Sequence, residues 1–213
     1  MEMRVELEGT ECILLPEKAL FWQPEKILMI ADLHLGKINH FRRSGVALPD
    51  QPNEENLNRM ISLIRSCEPD RVLFLGDLFH SHYNDEWEAF GQVLSHYPGI
   101  SFELVMGNHD IMSRHQYEKH RLKLHDPTLE IGPFLLSHEP LEDFEGYNIA
   151  GHIHPGVRMF GKGRQRLRFP CFFFGSRQGI LPAFGAFTGT HPMKPKEEDQ
   201  IFIIAENRVI RVK

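Results

Sequence analysis

The sequence predicts an α/β fold in which two β-sheets pack face to face and helices lie outside them. Up to residue 110, short apolar runs alternate with stretches of helical periodicity, which indicates strands joined by helical crossovers. Beyond residue 130, apolar runs follow one another with Gly and Pro between them, which favours consecutive antiparallel strands. The chain has 213 residues, of which 41% are hydrophobic, so it can bury a sizeable core, and we expect one domain over residues 1–213.

The N-terminal part is predicted to form strand pairs. Residues 3–30 contain apolar runs of strand length, separated by the turn signals Glu8-Gly9 and Pro16-Glu17. The last run leads directly to Asp32. We therefore expect a buried strand whose carboxyl end opens at this aspartate.

Three helices are predicted between the early strands. Over residues 52–65, apolar side chains recur at the spacing of one helix face, and Asp50 is the expected N-cap. A second helix is expected to begin at Asn84, with large apolar side chains on one face. A third and more polar helix is expected over residues 112–122.

The second half of the chain is predicted to form successive strands. The last of them should be a hairpin with Asn207 in its turn, and the polar stretch over residues 191–200 should be a surface loop. The predicted strands cover residues 134–136, 147–150, 157–160, 167–174, 180–187 and 201–212.

Composition limits the cellular setting and the partners. The net charge of −5 gives no overall basic field, so a nucleic acid would have to be held locally. The three cysteines are scattered without C-x-x-C spacing, which is typical of reduced thiols. The N-terminus has no signal-peptide pattern, and no apolar stretch approaches the ~20 residues that span a bilayer. We expect a cytoplasmic protein without membrane contact.

Polar residues able to bind metal ions follow five of the apolar runs. In open α/β sheets, ligands gather beyond the carboxyl ends of the strands, so these side chains are expected to converge. Any one such segment occurs often by chance, but five in this arrangement indicate a site for two metal ions. The segments are Asp32-Leu33-His34, Gly76-Asp77, Gly107-Asn108-His109-Asp110, Ser137-His138 and Gly151-His152-Ile153-His154.

The residue types in these segments suit two divalent metal ions. Two neighbouring cations need a bridging carboxylate, and imidazoles and oxygen donors complete each shell. Ligands without thiolate indicate Mn²⁺, Fe or Zn²⁺. Such a metal pair lowers the pKa of a bound water, so we expect a metal-bridging hydroxide to attack a phosphate ester. The expected ligands are Asp77 as the bridge, Asp32, His34 and His154 on one metal, and Asn108, His138 and His152 on the other.

Two residues of the third segment, His109 and Asp110, remain once the ligands are assigned. We predict that His109 protonates the leaving-group oxygen or holds a phosphoryl oxygen, and that Asp110 fixes its tautomer. His80 is a further candidate contact to the substrate phosphate, although a structural role fits it at least as well.

Arginines near the metal-binding segments are candidate phosphate contacts. Arg42 and Arg43 follow the first segment, and Arg164, Arg166 and Arg168 share one face if their stretch is a strand. Such a row would bind phosphates and make binding depend on salt. A solvated edge strand protected by charge explains the row equally well, so both interpretations stay open.

The order of the motifs, D-x-H, GD, GNHD, H and GHxH over residues 32–154, resembles that of the calcineurin-like metallophosphoesterase superfamily. The resemblance implies a four-layer αββα fold, which is a two-sheet β-sandwich flanked by helices. It also implies a metal-dependent phosphoesterase whose dinuclear centre is held by the seven ligands named above.

Further segments resemble one bacterial branch, the ligase-associated DNA damage response phosphoesterases. This resemblance implies a Mn²⁺-dependent DNA endonuclease or phosphodiesterase that acts in DNA repair. It also implies association with a DNA ligase, a helicase and a nuclease. The segments are residues 31–37, 40–45, 76–81, 151–156 and 181–189.

Two other functions compete with this one. A small-molecule nucleotide or pyrophosphate phosphohydrolase would use the same metals. Enzymes of that kind often insert a helical lid after the GNHD motif, but residues 109–138 leave room for one helix and one strand. A scaffold without catalysis would only bind partners, and the presence of every ligand and of His109 argues against it.

Overall fold

Two β-sheets packed face to face form the framework of the protein. A computed structural model describes residues 1–36, 51–80, 82–160, 166–186 and 188–213. Within these ranges one sheet has seven strands and the other has nine. The predicted two-sheet sandwich is confirmed.

The first sheet changes from antiparallel to parallel at β4. Strands β1 to β4 are antiparallel neighbours joined by short turns, as predicted, and β4 to β7 are parallel. Parallel neighbours need crossover connections, which the helices supply. The short strand β7, with one apolar residue, was not predicted. The strands are β1 (Met3–Leu7), β2 (Thr10–Leu15), β3 (Ala19–Trp22), β4 (Ile27–Ala31), β5 (Arg71–Leu75), β6 (Ser101–Val105) and β7 (Lys123–His125).

Three helices in the described ranges pack on one face of the first sheet. They are α1 (Gln51–Cys67), α2 (Asp85–Ser95) and α3 (Arg114–Lys119). Asn84 caps α2 as predicted, since its side chain accepts hydrogen bonds from two backbone N–H groups at 2.9 and 3.2 Å. The third helix is shorter than the predicted 112–122, and the predicted cap Asp50 lies outside the described residues. Of these helices, none is both long and apolar enough to cross a membrane.

The second sheet is mixed rather than purely antiparallel. Strand β10 pairs in parallel with β9 and β13, whereas the hairpins β11–β12 and β15–β16 are antiparallel. The expectation of antiparallel strands throughout is therefore wrong at β10, which is joined to both neighbours by longer connections. The strands are β8 (Thr128–Ile131), β9 (Phe134–Ser137), β10 (Tyr147–Ala150), β11 (Pro155–Phe160), β12 (Arg166–Phe174), β13 (Gln178–Ile180), β14 (His191–Pro192), β15 (Gln200–Ala205) and β16 (Arg208–Arg211).

The strand predicted over residues 180–187 ends early, at Ile180. The following residues leave the second sheet and bond to the first. The backbone N–H of Phe184 donates to the carbonyl of Ala31 at 2.8 Å, and that of Gly185 donates to the carbonyl of Asp32 at 3.0 Å. These bonds tie the two sheets together beside the first predicted metal ligand.

Alternating side chains of the first sheet build two separate cores. In β4, Leu28 and Ile30 pack against the helices, whereas Met29 and Ala31 pack against the second sheet. Among the described residues no helix covers the outer face of the second sheet. Because β4, β5 and β6 are parallel neighbours, their carboxyl ends, Ala31, Leu75 and Val105, lie side by side at one edge of the first sheet.

Candidate metal centre

The predicted metal ligands lie in the loops that follow five strands. These loops bring together residues that are far apart in the sequence, and the two sheets both contribute. The residues are Asp32 and His34 after β4, Asp77 after β5, Asn108 after β6, His138 after β9, and His152 and His154 after β10. The site therefore lies across the seam between the sheets.

One group of donor atoms belongs to Asp32, His34 and His154, and these atoms lie within 4.8 Å of one another. Nε2 of His154 is 3.3 Å from Nε2 of His34 and 3.4 Å from Oδ1 of Asp32. Two ring nitrogens this close cannot both point a proton at each other, so at least one presents a lone pair. This group matches the set predicted for one metal.

A second group belongs to Asp32, Asp77 and His138, again with donor atoms within 4.8 Å. Nε2 of His138 is 3.4 Å from Oδ1 of Asp77 and 3.0 Å from Oδ1 of Asn108. It is also 3.0 Å from Nδ1 of His152. The residues predicted for the other metal therefore lie together as well.

Both carboxylates lie between the two groups. Oδ1 of Asp77 faces His138 at 3.4 Å, and its Oδ2 faces His34 at 3.8 Å. Oδ1 of Asp32 is 3.4 Å from His154 and 4.0 Å from Nδ1 of His138. Asp77 thus lies where a bridging ligand is needed, and its bridging role stays a prediction. The participation of Asp32 in both groups was not predicted.

The donor set fits divalent metal ions. Oδ1 of Asp32 is buried and accepts no hydrogen bond from the described residues, which is costly unless a cation meets it. Nδ1 of His138 donates to the carbonyl of Leu75 at 3.0 Å, which holds the ring with Nε2 facing Oδ1 of Asp77 at 3.4 Å and Oδ1 of Asn108 at 3.0 Å. One imidazole nitrogen and two oxygens therefore converge where a cation could bind. Imidazole, carboxylate and amide donors suit Mn²⁺, Fe or Zn²⁺.

Five of the predicted ligands have left-handed backbone conformations. Their φ angles are 53° at Asp32, 50° at His34, 48° at Asp77, 64° at His152 and 53° at His154. This conformation costs a residue other than Gly roughly 1 kcal/mol or more, and it persists at sites where the surroundings hold it in place. Of the twelve non-glycine residues with positive φ in the described ranges, five are thus predicted ligands, which is consistent with loops that are held in place for a function.

Two glycines of the motifs let the loops of the two sheets approach each other. Gly76 has a φ of 72°, and a Cβ at this position would overlap the ring of His138. A Cβ on Gly151 would lie 2.6 Å from Oδ2 of Asp32 and 2.8 Å from the Cβ of Ala31. A side chain at either position would push ligand-bearing loops apart.

The contacts of Asp110 differ from the predicted ones. Its carboxylate is 5% exposed. One oxygen accepts hydrogen bonds from the backbone N–H groups of Leu78 and Phe79 at 3.0 and 3.2 Å, and the other accepts from Gly107 at 2.9 Å. Burial raises the pKa of Asp110 to about 7. Asp110 was predicted to orient the ring of His109, but its carboxylate accepts hydrogen bonds from backbone N–H groups. It therefore acts as a clamp that joins the loop after β5 to the loop after β6.

His109 and His80 lie side by side next to the metal ligands. Their ring centroids are 4.0 Å apart with planes at 38°, and His80 also contacts His34 with centroids 5.4 Å apart. The backbone N–H of His109 donates to Oδ1 of Asp77 at 3.0 Å. His109 is exposed, as contact with a substrate requires. Both histidines that were predicted to face the substrate are thus in the site.

The predicted arginine contacts are described only in part. Arg166 is exposed on β12. The strand register adds an arginine that was not predicted, Arg158, which is paired with Arg168 across the β11–β12 hairpin. Arg158 was missed because the local pattern does not give the register of a hairpin. Three residues that were predicted to contact phosphates lie outside the described residues, namely Arg42, Arg43 and Arg164.

The chain matches one family model and is similar to solved structures. The family model for calcineurin-like phosphoesterases matches residues 25–189. The solved structure of the nuclease MPE from Pseudomonas putida superposes with a TM-score of 0.85 at 26% identity, over 100% of both chains. The phosphoesterase YfcE from E. coli has a TM-score of 0.41 at 12% identity, over 87% of this chain and 97% of its own. No curated protein sequence matches the chain significantly.

The family match covers more than half of the chain, and all seven predicted metal ligands lie inside residues 25–189. The described strand ends bring these residues together as a metal-dependent hydrolase requires. The chain therefore belongs to the calcineurin-like phosphoesterase family and is a metal-dependent phosphoesterase.

Proposed function

We propose that the protein is a phosphodiesterase that cuts DNA internally with two divalent metal ions, with Mn²⁺ as the first choice. The proposal includes a role in DNA repair together with a ligase, a helicase and a nuclease. This role is suggested by the motifs shared with the ligase-associated DNA damage response phosphoesterases. The full-length similarity to a solved nuclease supports it. The observation that carries it is a surface of three arginines, Arg158, Arg166 and Arg168, which we call the arginine surface.

The arginine surface extends from the metal centre. Strand β11 begins directly after His154, and Arg158 lies opposite Arg168 on the paired strand β12. Arg166 is two residues from Arg168 and therefore shares its face of the strand. All three side chains are exposed. Like charges directly opposite each other destabilise a sheet, so this pairing favours a partner that brings negative charge, such as a chain of phosphates.

The residues that would hold the metal ions are the seven predicted ligands. When bound, two divalent ions supply a water of lowered pKa and positive charge for the oxygens that enter and leave. The chain's part is to fix the ligand atoms in advance. The carbonyl of Leu75 holds the ring of His138, and the backbone N–H of His152 donates to Oδ2 of Asp32 at 2.9 Å. Such supporting bonds orient the ligands before a metal binds.

His109 is the residue we assign to the leaving group. Its exposed ring stands next to the ligands, and its backbone is held by Asp77. From this position the ring can donate a proton to the oxygen that leaves the phosphorus. The neighbouring ring of His80 restricts the orientation of His109 and offers a second contact to the phosphate.

The segment between His109 and His138 distinguishes this function from that of a hydrolase of lipid-linked pyrophosphates. It consists of α3 and the strands β7, β8 and β9, and α3 has only six residues. No helical lid stands over the metal centre among these residues. The absence of such a lid from this segment favours a polymeric substrate.

The experiment compares two substrates in protein loaded with Mn²⁺. We expect hydrolysis of bis(p-nitrophenyl) phosphate and nicking of supercoiled plasmid, and Asp77→Asn should lower both by roughly 100-fold or more because a metal ligand is weakened. The double variant Arg158→Ala/Arg168→Ala should lower plasmid nicking far more than ester hydrolysis. It should also reduce the salt dependence of plasmid binding, by a slope of about 1 for each lost phosphate contact.

The matched control is Arg208→Ala, which removes an exposed arginine from β16, a strand that carries no predicted ligand. It should leave nicking and its salt dependence unchanged. Activity on dinucleotides with none on plasmid would contradict the DNA assignment and favour a small-molecule phosphohydrolase. Inactivity with Mn²⁺, Fe²⁺, Co²⁺ and Zn²⁺ on every phosphodiester would contradict the whole proposal.

A further inference from the structure

A small cleft of about 100 Å³ opens beside the metal centre. His154 forms part of its wall, together with Lys18, Pro155, Thr188 and Thr190. The cleft belongs to neither the ligand set nor the arginine surface. Because a predicted metal ligand lines it, a group bound there would lie next to a phosphate held at the metals.

Lys18 is brought to this cleft by the register of the first sheet. Strand β3 is antiparallel to β4, with Leu20 opposite Met29. Continuing this register by two residues places Lys18 beside Ala31, the residue before Asp32. The turn is fixed, since the backbone N–H of Lys18 donates to the carbonyl of Leu15 at 3.0 Å and its φ is 70°.

Among the described residues, no carboxylate is paired with the ammonium group of Lys18. The side chain is half-buried, and no described residue forms a hydrogen bond or ion pair with its ammonium group. Burial and the nearby charge of Arg59 lower the pKa of Lys18 to about 8, while the exposed Glu55 acts in the opposite direction. An ammonium held in this way favours an anion that enters the cleft.

Arg59 is already engaged and does not compete for that anion. Its guanidinium donates to Oδ1 of Asn56 at 2.9 Å and to the carbonyl of Phe184, and it lies over the ring of Phe184 at 4.2 Å. Its role is to anchor the segment after β13. Among the described residues, Lys18 is therefore the lysine or arginine that lines the cleft.

The opposite wall is held against the metal centre and carries hydroxyl groups. The backbone N–H of His191 donates to the carbonyl of His154 at 2.8 Å, which fixes the segment that contains Thr188 and Thr190. Thr190 packs against Gly156, where a Cβ would lie 2.8 Å from its Oγ1. The hydroxyl of Thr188 donates to the carbonyl of Gly185 at 2.8 Å, so Lys18 and Thr190 are the residues of the cleft that offer an ammonium and a hydroxyl to a phosphate.

We propose that this cleft binds the phosphate next to the scissile phosphate along a polynucleotide, and that the ammonium group of Lys18 forms an ion pair with it. The inference rests on the proposed function, because in a polynucleotide each scissile phosphodiester has a neighbouring phosphate along the chain. The cleft then explains how a protein with a net charge of −5 selects a polymer over a small diester. The cleft lies on the His154 side of the predicted ligands, so it would bind the phosphate on one side of the scissile bond.

The first test is the variant Lys18→Met with two substrates in the Mn²⁺-loaded protein. We expect the kcat/KM on a single-stranded oligonucleotide to fall about ten-fold relative to that on bis(p-nitrophenyl) phosphate, mostly through KM. Lys18→Arg should restore most of the loss. The matched control is Lys26→Met, which removes a lysine with a φ of 50° from the turn at the other end of β3, far from the predicted ligands. It should leave the ratio unchanged.

The second test asks whether the anion is a phosphate of the substrate chain. Two short oligonucleotides are compared, each with one cleavable phosphodiester. One carries an uncharged methylphosphonate on the 5′ side of that phosphodiester, and the other carries it on the 3′ side. The wild type should lose about ten-fold in kcat/KM when the methylphosphonate lies on one side only, and Lys18→Met should show no such preference. The inference would be overturned if the methylphosphonate lowered kcat/KM equally in the wild type and in Lys18→Met. It would also be overturned if Lys18→Met lowered kcat/KM equally on the oligonucleotide and on bis(p-nitrophenyl) phosphate in the first test. If the wild type cuts only bis(p-nitrophenyl) phosphate, the proposed function fails, and the inference fails with it.

Discussion

At the scale of single residues, Asp110 shows how one buried carboxylate positions two loops that carry metal ligands. Its oxygens bond to Leu78 and Phe79 beyond Asp77, and to Gly107 before Asn108. Without the carboxylate, three buried N–H groups would lose their acceptor, at a cost of about 1–3 kcal/mol for a buried polar group left unmatched. The residue therefore serves the metal centre without touching a metal.

We expect Asp110→Ala to lower the free energy of unfolding by about 3 kcal/mol and Asp110→Asn by less, because an amide oxygen can still accept two of the bonds. Urea unfolding of the metal-free protein measures both. Glu145→Ala is the control, since this carboxylate is exposed and should change stability little. Equal stability of Asp110→Ala and the wild type would contradict the clamp.

At the scale of elements, the parallel edge of the first sheet is joined by a buried ion pair. Glu103 on β6 accepts hydrogen bonds from Arg71 of β5 at 2.8 and 2.9 Å, and Nε2 of His125 of β7 is 2.8 Å away. Burial raises the pKa of Glu103, but the hydrogen bonds from Arg71, His125 and Ser101 outweigh it and hold the pKa at about 2. One side chain thus links three neighbouring strands.

The stabilisation from Glu103 should depend on pH. Its folded pKa of about 2 is below the ordinary 4.5, so the carboxylate stabilises the fold fully above pH 4.5, and this contribution is lost as the pH falls toward 2. We expect this group to account for a loss of about 2 kcal/mol between pH 7 and pH 3. Glu103→Gln should lack that part of the loss in urea unfolding of the metal-free protein.

The control for this prediction is Glu11→Gln, which breaks the cross-strand pair between Arg4 and Glu11. Those side chains are 58% and 48% exposed, so the pair should contribute little. If Glu11→Gln and Glu103→Gln respond to acid in the same way, burial of the Glu103 pair is not the cause.

The elements also show what the sequence predicts and what it does not. The first two helices and the strand ends at Asp32 and Asp77 follow from local periodicity, and the structure contains them. The parallel pairing of β10 and the early end of β13 depend on distant partners, such as the carbonyl of Ala31 that Phe184 reaches. The convergence of the ligands was predictable because motif and strand end coincide, whereas the partners of Asp110 and the position of Lys18 beside His154 arise only from tertiary contacts.

At the scale of the whole molecule, the candidate metal centre joins the two sheets, because each sheet supplies some of its predicted ligands. Asp32 and Asp77 come from the first sheet, and His138, His152 and His154 come from the second. A ligand that binds only the folded state stabilises it, by about 2.7 kcal/mol at a concentration of 100 times Kd. A metal that needs both sheets for its ligands can bind only when they are packed together.

We expect Mn²⁺ at 100 times its Kd to raise the Tm of the metal-free protein by about 5–10 °C, as measured by calorimetry. A chelator should reverse the rise. His138→Ala should remove most of it, because this residue belongs to the second sheet and contacts Asp77. Tight Mn²⁺ binding without any rise in Tm would show that the metal does not hold the sheets together.

The left-handed ligand backbones also bear on how the protein tolerates change. At roughly 1 kcal/mol each, the five residues from Asp32 to His154 reduce stability by about 5 kcal/mol, a large part of the 5–15 kcal/mol that typical domains possess. Glycine would relieve that cost at any of these positions, and it would remove a predicted metal ligand each time. Selection for thermal stability alone would therefore favour variants of this chain that unfold at higher temperature but no longer bind the metal ions.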